Sequence, residues 1–375
     1  MKKLLIFSDW YLPGYKAGGP ITSIYNLTSL LYNTFEIYIV TSDRDLGDLH
    51  AYDNIPLNQW VKREHINVYY VKNSVKAPLV IYAILNEKNY DAIYLNSMWS
   101  VKYTLFPLLY LRFSKLKNVV IAPRGMLKSS AIKYKESKKR IFLFLLIKTD
   151  LLKSITFHAT DEQEKADIKM IFPKNNIQQI SNVPSSPIHE IIRTKKVGAC
   201  NLVFTGRLHP IKGLDILLKA IKNITHNIHL EIIGPIEDKE YELTCKSIIN
   251  TLNPNATVNF NGSLPYEKII DIYRKSHVFI LPTKGENFGH SIFEALLSGL
   301  PVIISDQTPW RDLKQKKVGF DLHQEEISSF ENAINFFANL NNVEYNHWSQ
   351  NAKVYAVNQI NKTDLKNKYT TLFNL

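Results

Sequence analysis

The sequence alternates short apolar segments with amphipathic segments along most of its length. In the first half, six segments have the length and composition of buried strands, at residues 4–8, 35–42, 66–71, 91–96, 118–123 and 153–159. The second half repeats the pattern at residues 199–206, 228–234, 256–262, 277–283, 300–306 and 318–322. Nearly continuous apolar strands separated by helical segments are typical of parallel sheets wrapped by helices. We therefore predict an α/β protein with two Rossmann-like domains.

A segment rich in proline, serine and lysine, residues 183–199, separates the two sets of strands and has the composition of a linker. We predict a first domain over 1–190 and a second over 197–358. Two more helices are predicted within 344–375, and the last of them, from about 360 to 375, either packs back on the first domain or completes the second. Ligands of parallel sheets bind at the carboxyl ends of the strands, so we expect a site in the cleft between the domains.

Composition predicts a protein of the reducing cytosol. The chain has 375 residues and two cysteines, too few for a disulfide framework. Its longest apolar run, 141–147, is far shorter than the roughly 20 residues of a membrane-spanning helix. The apolar run that follows Met1 ends after four residues, short of the roughly 7–15 of a secretory signal. We predict a protein that is soluble or lies on a membrane surface.

Positive charge is concentrated in the first half. Residues 1–200 contain 28 Lys and Arg and 16 Asp and Glu, whereas residues 201–375 contain 18 of each. Such asymmetry is typical of a surface that faces nucleic acid, one that faces anionic lipid, or an ordinary solvated basic face. No recognised nucleic-acid module accompanies the charge, so we predict no nucleic-acid partner. Residues 115–153 mix Lys and Arg with Leu, Phe and Ile, which favours contact with an anionic membrane over a solvated helix above a core.

One candidate binding loop lies in the stretch FTGRLHPIKGLDILLKAI (204–221). A predicted strand ends near Gly206, a loop carries Arg207 and Lys212, and a helix begins near Gly213. Two cations at the carboxyl end of a strand, beside a helix N-terminus, form a suitable site for a diphosphate. The alternative is a strand, loop and helix with surface cations. The loop lacks the GxxxxGK[ST] pattern, which argues against ATP hydrolysis.

A second candidate loop, KGENFG (284–289), follows the predicted strand at 277–283. Gly289 would let the backbone approach a ligand, and the N–H groups of the helix that begins near His290 would face an anion. Glu294 lies in the second turn of this helix, among apolar neighbours. A buried carboxylate is costly unless it is paired, and no Arg or Lys lies close to it in sequence. A ribose diol, which can donate two hydrogen bonds, would satisfy it.

Both loops match motifs of a known family. Glu286 and Glu294 match the E-x7-E element of retaining GT-B glycosyltransferases, and Arg207 and Lys212 resemble the G-R-x4-K-G pair of the same family. The order and spacing are similar to glycosyltransferase family 4, of the kind that builds bacterial surface polysaccharide and O-antigen, and the resemblance covers essentially the whole chain. It implies the GT-B fold, with two Rossmann-like domains facing across a cleft.

The resemblance also implies roles for side chains. Arg207 and Lys212 would hold the diphosphate of a nucleotide-sugar donor. Glu294 would accept hydrogen bonds from the ribose hydroxyls, and Glu286 from the hydroxyls of the transferred sugar. Arg207, Lys212 and Glu286 are therefore the predicted catalytic residues, and Arg207 and Lys212 also belong to the predicted donor site with Glu294.

Four further positions are implied for donor binding. Backbone amides at Phe288 and Gly289 would meet the sugar and the phosphate. The stretch DWYLPGYKAGGPITSIYNL (9–27) resembles the family's first loop, in which a glycine pair approaches the donor phosphates. Gly18 and Gly19 would supply that access. The alternative is a turn followed by Pro20 at a helix start.

The segment APRGML (122–127) departs from a pattern that is common in the family. Many relatives have a histidine after this strand, near the reacting centre, and the corresponding position here is Arg124. The departure weakens the assignment of a histidine as the acceptor-side base. It is compatible with contact between Arg124 and an anionic acceptor or the leaving phosphate.

The predicted reaction needs no metal and no cofactor beyond the nucleotide sugar, because Arg207 and Lys212 would neutralise the leaving group. The predicted function is retaining transfer of a hexose or N-acetylhexosamine from a UDP-sugar, favoured over a GDP-sugar, to a lipid-linked or polysaccharide acceptor at the inner face of the cytoplasmic membrane. The product would be O-antigen, lipopolysaccharide or capsule. Rival interpretations are an epimerase or phosphorylase of the same architecture, and a non-catalytic scaffold that binds a nucleotide sugar.

Overall fold

The computed structural model describes residues 1–112, 118–127, 142–144, 146–149, 151–185, 193–359 and 362–374. The chain divides into two compact units, Met1–Val183 with Asn361–Leu375, and Pro184–Ile360. The first unit thus ends before residue 190, where the sequence placed the end of the first domain. Ser185, inside the predicted linker, belongs to the second unit.

The first unit contains an eight-stranded sheet in the order β3-β4-β2-β1-β5-β6-β7-β8. Its strands are β1 (Lys2–Phe7), β2 (Phe35–Ser42), β3 (Trp60–Arg63), β4 (Ile66–Val71), β5 (Ala92–Leu95), β6 (Val119–Ile121), β7 (Thr156–Ala159) and β8 (Asn176–Gln179). All neighbours pair in parallel except β3 with β4. The chain runs outward from β1 to β2 and β4 and then returns to β5 on the other side of β1, so the strand order reverses between β1 and β5.

Helices cover both faces of this sheet. They are α1 (Gly19–Leu31), α2 (Ala77–Glu87), α3 (Phe106–Leu111) and α4 (Glu162–Ile171), with a π-helical turn at Val101–Leu105 before α3. Alternate residues of β1 face opposite sides, because side chains along a strand alternate. Leu5 and Phe7 belong to one apolar core, and Leu4 and Ile6 to the other. The sheet is therefore buried on both sides, as its continuous apolar strands predict.

The second unit contains a six-stranded parallel sheet in the order β11-β10-β9-β12-β13-β14. Its strands are β9 (Ala199–Thr205), β10 (Asn227–Ile233), β11 (Ala256–Phe260), β12 (Val278–Leu281), β13 (Val302–Ser305) and β14 (Gly319–Leu322). Its helices are α5 (Leu214–Lys222), α6 (Lys239–Ile249), α7 (Tyr266–Lys275), α8 (His290–Leu297), α9 (Ile327–Asn339) and α10 (Asn342–Asn358). This is the Rossmann strand order, and its reversal lies between β9 and β12.

The last helix, α11 (Lys362–Asn374), returns to the first unit. The ring of its Phe373 lies edge-on to Phe35 and Tyr94, with ring centroids 6.0 and 5.4 Å apart. Asn118 Nδ2 donates a hydrogen bond to the Phe373 carbonyl at 2.7 Å, and the Tyr369 hydroxyl donates to the carbonyl of Ser181 at 3.1 Å. The helix thus completes one apolar core of the first unit.

Two Rossmann-like α/β domains with parallel sheets are confirmed, and all twelve segments predicted as strands contain one. Two short edge strands, β3 and β8, were missed. Within the part of the chain that the structure describes, no helix is both long and apolar enough to span a membrane. About half of the basic segment 115–153 lies outside the described residues, namely 115–117, 128–141, 145 and 150. In its described part, Leu143 and Leu146 are buried, whereas Phe144 and Ile147 are exposed.

Candidate active site

The two candidate loops lie side by side at the strand-order reversal of the second sheet. One follows β9 and carries Arg207 and Lys212; the other follows β12 and carries Glu286. The Lys284 N–H donates to the carbonyl of Ile211 at 2.7 Å, and the Thr283 hydroxyl donates to the same carbonyl at 3.1 Å. These bonds fasten the loops together at the edge where parallel sheets bind their ligands.

Gly213 allows this close approach. It adopts a left-handed conformation with φ of 72°, between a 3₁₀ turn (Pro210–Lys212) and α5. A Cβ atom at this position would lie 2.0 Å from the carbonyl oxygen of Pro282, which follows β12. Glycine is therefore required here for two reasons, backbone conformation and the distance between the loops.

Lys212 and Glu286 form an ion pair across the two loops. Both side chains are largely buried, with 16% and 15% of their surface exposed. The backbone N–H of Glu286 also donates to the carbonyl of Gln307 at 3.0 Å, which fixes its loop from the other side. The cation of one motif and the carboxylate of the other are thus within reach of a single ligand.

Arg207 also has a carboxylate partner, Glu237 in the segment that follows β10. This pair lies at the surface, with 45% and 39% of the two side chains exposed. Exposed ion pairs are weak because water and salt screen them, so a bound anion can displace Glu237 at little cost. Glu237 could not be predicted from the sequence, because it belongs to neither motif.

Glu294 lies on α8 and is 6% exposed. The Ser185 hydroxyl, which is 109 residues away in sequence, donates a hydrogen bond to its Oε1 at 3.3 Å. Burial raises the pKa of the Glu294 carboxyl to about 7, although the hydrogen bond from Ser185 lowers it in part. The predicted linker thus supplies a neutral partner for Glu294 that sequence spacing did not reveal.

Phe288 and Gly289 lead into α8. Gly289 is its N-cap, with φ of 74°, and the indole N–H of Trp310 donates to the Phe288 carbonyl at 2.7 Å. The Phe288 ring packs against Phe293 and Trp310, with centroids 5.6 and 5.7 Å apart. The first N–H groups of a helix have no partner within the helix, so this rigid entry leaves donors at the N-terminus of α8 available to an anion.

In the first unit, Gly18 and Gly19 form the N-terminus of α1. Gly18 is the N-cap, with φ of 62°, and its carbonyl accepts hydrogen bonds from Ile21 and Thr22. Both glycines are exposed, and a Cβ atom on Gly18 would meet nothing within 4 Å. The turn before Pro20 is therefore present, and the space beside it is open to a ligand. The two interpretations offered by the sequence are compatible.

Arg124 takes part in a polar network inside the first unit. Its guanidinium donates to Asn96 Oδ1 at 2.7 Å, to the Tyr94 hydroxyl at 2.9 Å and to the side-chain oxygen of Asn182. A guanidinium has five N–H groups, so these three bonds do not exhaust its donors. The Tyr94 hydroxyl is also 2.7 Å from Nδ1 of His158, which is buried. Burial, with the charge of Arg124, lowers the pKa of His158 to about 3. The role of Arg124 toward an acceptor stays a prediction.

The structure brings six of the predicted residues to one edge of the second sheet, Arg207, Lys212, Glu286, Phe288, Gly289 and Glu294. Their roles toward a donor stay predictions. Within the described ranges, no group of three His, Cys, Asp or Glu side chains is placed to hold a metal ion. Metal independence likewise stays a prediction.

Two Rossmann-like domains with parallel sheets make up the GT-B fold of glycosyltransferases, and known proteins agree with this class. Residues 162–355, more than half of the chain, match the family described as Glycosyl transferases group 1. The chain belongs to this family.

Two relatives illustrate the range of similarity. An uncharacterised 41.2 kDa protein of the cps region of Klebsiella pneumoniae is 23% identical over 314 residues, which cover 79% of this chain and 82% of that protein. A D-inositol 3-phosphate glycosyltransferase of Corynebacterium glutamicum is 27% identical over 146 residues, which cover 37% of this chain and 33% of that enzyme. The chain thus spans only a third of the length of this second relative.

Solved structures share the fold over the whole chain. Anabaena HepE in complex with UDP and glucose superposes with a TM-score of 0.71 at 15% identity, covering 100% of both chains. WaaG, a glycosyltransferase involved in lipopolysaccharide biosynthesis, superposes with a TM-score of 0.68 at 14% identity, covering 99% of both. At these identities the likeness establishes the fold.

Proposed function

We propose that this protein is a retaining, metal-independent glycosyltransferase that moves a hexose or N-acetylhexosamine from a nucleotide sugar to a lipid-linked or polysaccharide acceptor. The observation that carries the proposal is the junction of the two loops at the strand-order reversal, where Lys212 and Glu286 meet. A diphosphate needs cations and a sugar needs hydrogen-bond acceptors, and both are present in one place. UDP is the proposed nucleotide, in keeping with the UDP and glucose bound by HepE.

Each side chain has a proposed role toward the donor. Lys212 and Arg207 bind the diphosphate, and Glu286 accepts hydrogen bonds from the sugar hydroxyls. Glu294, in its ionised form, accepts both hydroxyls of the ribose, which would offset the cost of its burial. The N–H groups at the start of α8 add neutral donors for the phosphate.

Negative charge grows on the diphosphate as its bond to the anomeric carbon breaks. Cations that are held in place before the reaction stabilise that charge without reorganisation. The acceptor oxygen forms its bond to the anomeric carbon on the face that the diphosphate leaves, and the leaving phosphate oxygen takes the acceptor proton. This front-face route retains the anomeric configuration and requires neither a carboxylate nucleophile nor a separate base.

Surface polysaccharide is the proposed product class, as capsule, O-antigen or lipopolysaccharide. The cps-region relative in Klebsiella pneumoniae supports this assignment, as does the fold shared with WaaG. Arg124 remains the proposed acceptor-side residue, because its guanidinium has donors beyond those used in its network.

We also propose that the protein lies on the inner face of the cytoplasmic membrane. Phe144 and Ile147 are 58% and 52% exposed on the segment with the highest density of Lys and Arg. Basic residues near an anionic surface contribute about 1 kcal/mol each. Sedimentation with vesicles of anionic lipid should show binding that is lost at high salt. Equal sedimentation at low and high salt would contradict the proposal.

Incubation of the purified protein with radiolabelled UDP-glucose, UDP-galactose and UDP-N-acetylglucosamine tests the function. The lipid fraction of a capsule-producing strain serves as acceptor, with and without EDTA. We expect label to enter lipid from at least one donor, at the same rate in EDTA, and NMR of the product to show retained configuration.

Other outcomes identify the rival functions. Interconversion of the free nucleotide sugars would indicate an epimerase, and binding without transfer or hydrolysis would indicate a scaffold. Loss of transfer in EDTA that Mg²⁺ restores would refute metal independence, and an inverted product would refute the front-face route.

A further inference from the structure

A cavity of about 200 Å³ lies in the first unit, at the carboxyl ends of β4, β2 and β1 and beside the π-helical turn 101–105. Its lining includes Asp9 and Trp10 after β1, Arg44 after β2, and Lys102 and Tyr103 in the turn that follows β5. Because the strand order reverses between β1 and β5, the cavity occupies the ligand position of an open parallel sheet. π-Helical turns are rare in proteins, and those that occur are often found at functional sites.

Among the described residues that line this cavity, Asp9 is the only one with a carboxylate. Its Oδ1 accepts a hydrogen bond from the Ser100 hydroxyl at 2.6 Å, and Ser100 Oγ in turn accepts from the Tyr103 N–H at 3.0 Å. Burial raises the pKa of Asp9 above its usual value. Hydrogen bonds from the hydroxyls of Ser100 and Ser97 and from a backbone amide lower this pKa in part. Asp9 is thus held in place by neutral donors.

The two cations beside the cavity have different partners, a carboxylate for Arg44 and an amide for Lys102. Arg44 binds Asp43 through two hydrogen bonds, Nε to Oδ1 at 2.8 Å and Nη2 to Oδ2 at 3.1 Å. Lys102 donates to the side-chain oxygen of Asn73, which is neutral. With Asp9 ionised, the charges of the two cations and of the two carboxylates, Asp9 and Asp43, cancel, so the cavity offers no excess positive charge to an anion. These side chains offer acceptors and donors to hydroxyl groups.

The size and shape of the cavity restrict the class of ligand further. Pockets for drug-sized ligands occupy roughly 300–1,000 Å³, so this cavity suits a smaller group, of the order of one sugar ring. Trp10 is half-buried in its wall and offers a flat apolar surface. A pyranose presents the matching chemistry, with hydroxyls at its rim and C–H groups on its faces.

We propose that this cavity binds one neutral monosaccharide unit of the acceptor, with Asp9 accepting and Lys102 donating hydrogen bonds to its hydroxyls. The assignment rests on the proposed glycosyltransferase function, and it specifies the acceptor as a neutral sugar rather than a phosphate or a uronic acid. Asp9 and Lys102 are then specificity residues of the acceptor site.

Binding of methyl glycosides to the full chain, measured by saturation-transfer NMR without any nucleotide sugar, tests the proposal. The probes are methyl glucoside, galactoside, mannoside and N-acetylglucosaminide, with methyl glucuronide as the charged counterpart of the glucoside. We expect at least one neutral probe to bind, and the glucuronide to bind more weakly than the glucoside. Lys102→Met removes a charged donor and should weaken binding about ten-fold or more, whereas Asp9→Asn keeps only a neutral acceptor and should weaken binding about three-fold or more.

Asp91→Asn is the matched control. Asp91 is exposed at the opposite end of β5, and its Oδ2 accepts a hydrogen bond from the Lys3 N–H at 2.7 Å that an asparagine oxygen can also accept. This variant should bind the glycosides as the wild type does. If Asp9→Asn fails to fold, Lys102→Met tests the cavity alone, because Lys102 is only half-buried.

Three results would overturn the assignment: no binding of any neutral glycoside, unchanged binding in the folded Asp9 and Lys102 variants, or tighter binding of the glucuronide. Failure of the proposed function would be observed in a different assay. The protein would then transfer no sugar from a nucleotide sugar, whatever the result of the glycoside binding measurements.

Discussion

Lys212 and Glu286 form an ion pair that joins the two loops of the candidate site across 74 residues of sequence. In this state each group neutralises the other. A nucleotide sugar would replace the pair with two separate contacts, phosphate on Lys212 and sugar hydroxyls on Glu286. The pair therefore holds the loops in register before the donor arrives, and the donor must offer both kinds of group to displace it.

Loss of either cation should slow transfer strongly while the fold is retained. We expect Lys212→Ala and Arg207→Ala each to lower kcat by about 10²–10³, because each removes positive charge from the leaving diphosphate. Lys219→Ala and Arg274→Ala are matched controls, since these side chains form surface pairs with Asp215 and Asp271. Turnover at the wild-type rate in a folded Lys212 or Arg207 variant would show that the loop does not act on the leaving group.

Glu294 should make nucleotide binding depend on pH. Because its pKa is about 7, the carboxyl is protonated in most molecules at pH 6 and ionised in most molecules at pH 8. If the ionised form accepts the ribose hydroxyls, the Kd for UDP should be about ten-fold higher at pH 6 than at pH 8. Calorimetry on the wild type and on Glu294→Gln checks this, and the variant should lack the dependence. The same pH dependence in Glu294→Gln would assign it to another group.

The same carboxyl should make the folded state less stable as the pH rises, whereas nucleotide binding should become tighter. Because burial raises the pKa of Glu294 from 4.5 to about 7, the folded state binds its proton more tightly than the unfolded state. This difference stabilises the folded state fully below pH 4.5, and the stabilisation is lost as the pH rises through about 7. The free energy of unfolding should change by about 3 kcal/mol in total. Urea unfolding at pH 5 and pH 8 should show a correspondingly smaller loss for Glu294→Gln than for the wild type.

Removal of the counter-ion of Arg207 should strengthen nucleotide binding. Glu237→Gln leaves the guanidinium unpaired, so we expect UDP to bind about two- to five-fold more tightly, within the range of an exposed ion pair. Glu242→Gln, which breaks the pair with Lys246 on α6, is the matched control and should leave the Kd unchanged. Weaker binding in Glu237→Gln would mean that Glu237 itself contacts the ligand.

Gly213→Ala should separate the two loops. The new Cβ would meet the Pro282 carbonyl oxygen at 2.0 Å in a backbone with φ of 72°. Gly262→Ala is the control, because its φ is 64° and its Cβ would meet nothing within 4 Å. Backbone strain alone costs about 1–2 kcal/mol, so Gly262→Ala should lose about that much in urea unfolding and Gly213→Ala clearly more. Equal losses would show that the contact with Pro282 is easily relieved.

The fold could be predicted from the sequence where strands are apolar and lie inside a sheet. β3 and β8 were missed because they are short edge strands with polar residues, Trp-Val-Lys-Arg and Asn-Ile-Gln-Gln, which lack the continuous apolar pattern. An edge strand is half solvated, so its sequence resembles that of a loop.

The site could be predicted where its residues lie in contiguous motifs, and the partners of those residues could not. Ser185 reaches Glu294, and Glu237 reaches Arg207, through chain folding that spacing does not encode. Arg193, also in the predicted linker, donates to the carbonyls of Ser298 and Gly299 at the end of α8. The segment interpreted as a linker thus binds the helix that carries Glu294 at two points, at Glu294 itself and at the C-terminal end.

The return of α11 to the first unit affects the order of folding during synthesis. The ribosome makes the strands of the first unit before those of the second, yet the core around Phe35 and Tyr94 lacks Phe373 until residues 362–374 have emerged. The second unit needs no such late segment. We expect a nascent chain stalled before α11 to protect the second unit from protease while the first is still cut, and the reverse would contradict this order. The domain that begins first would finish last, with apolar surface exposed to chaperones in the interval.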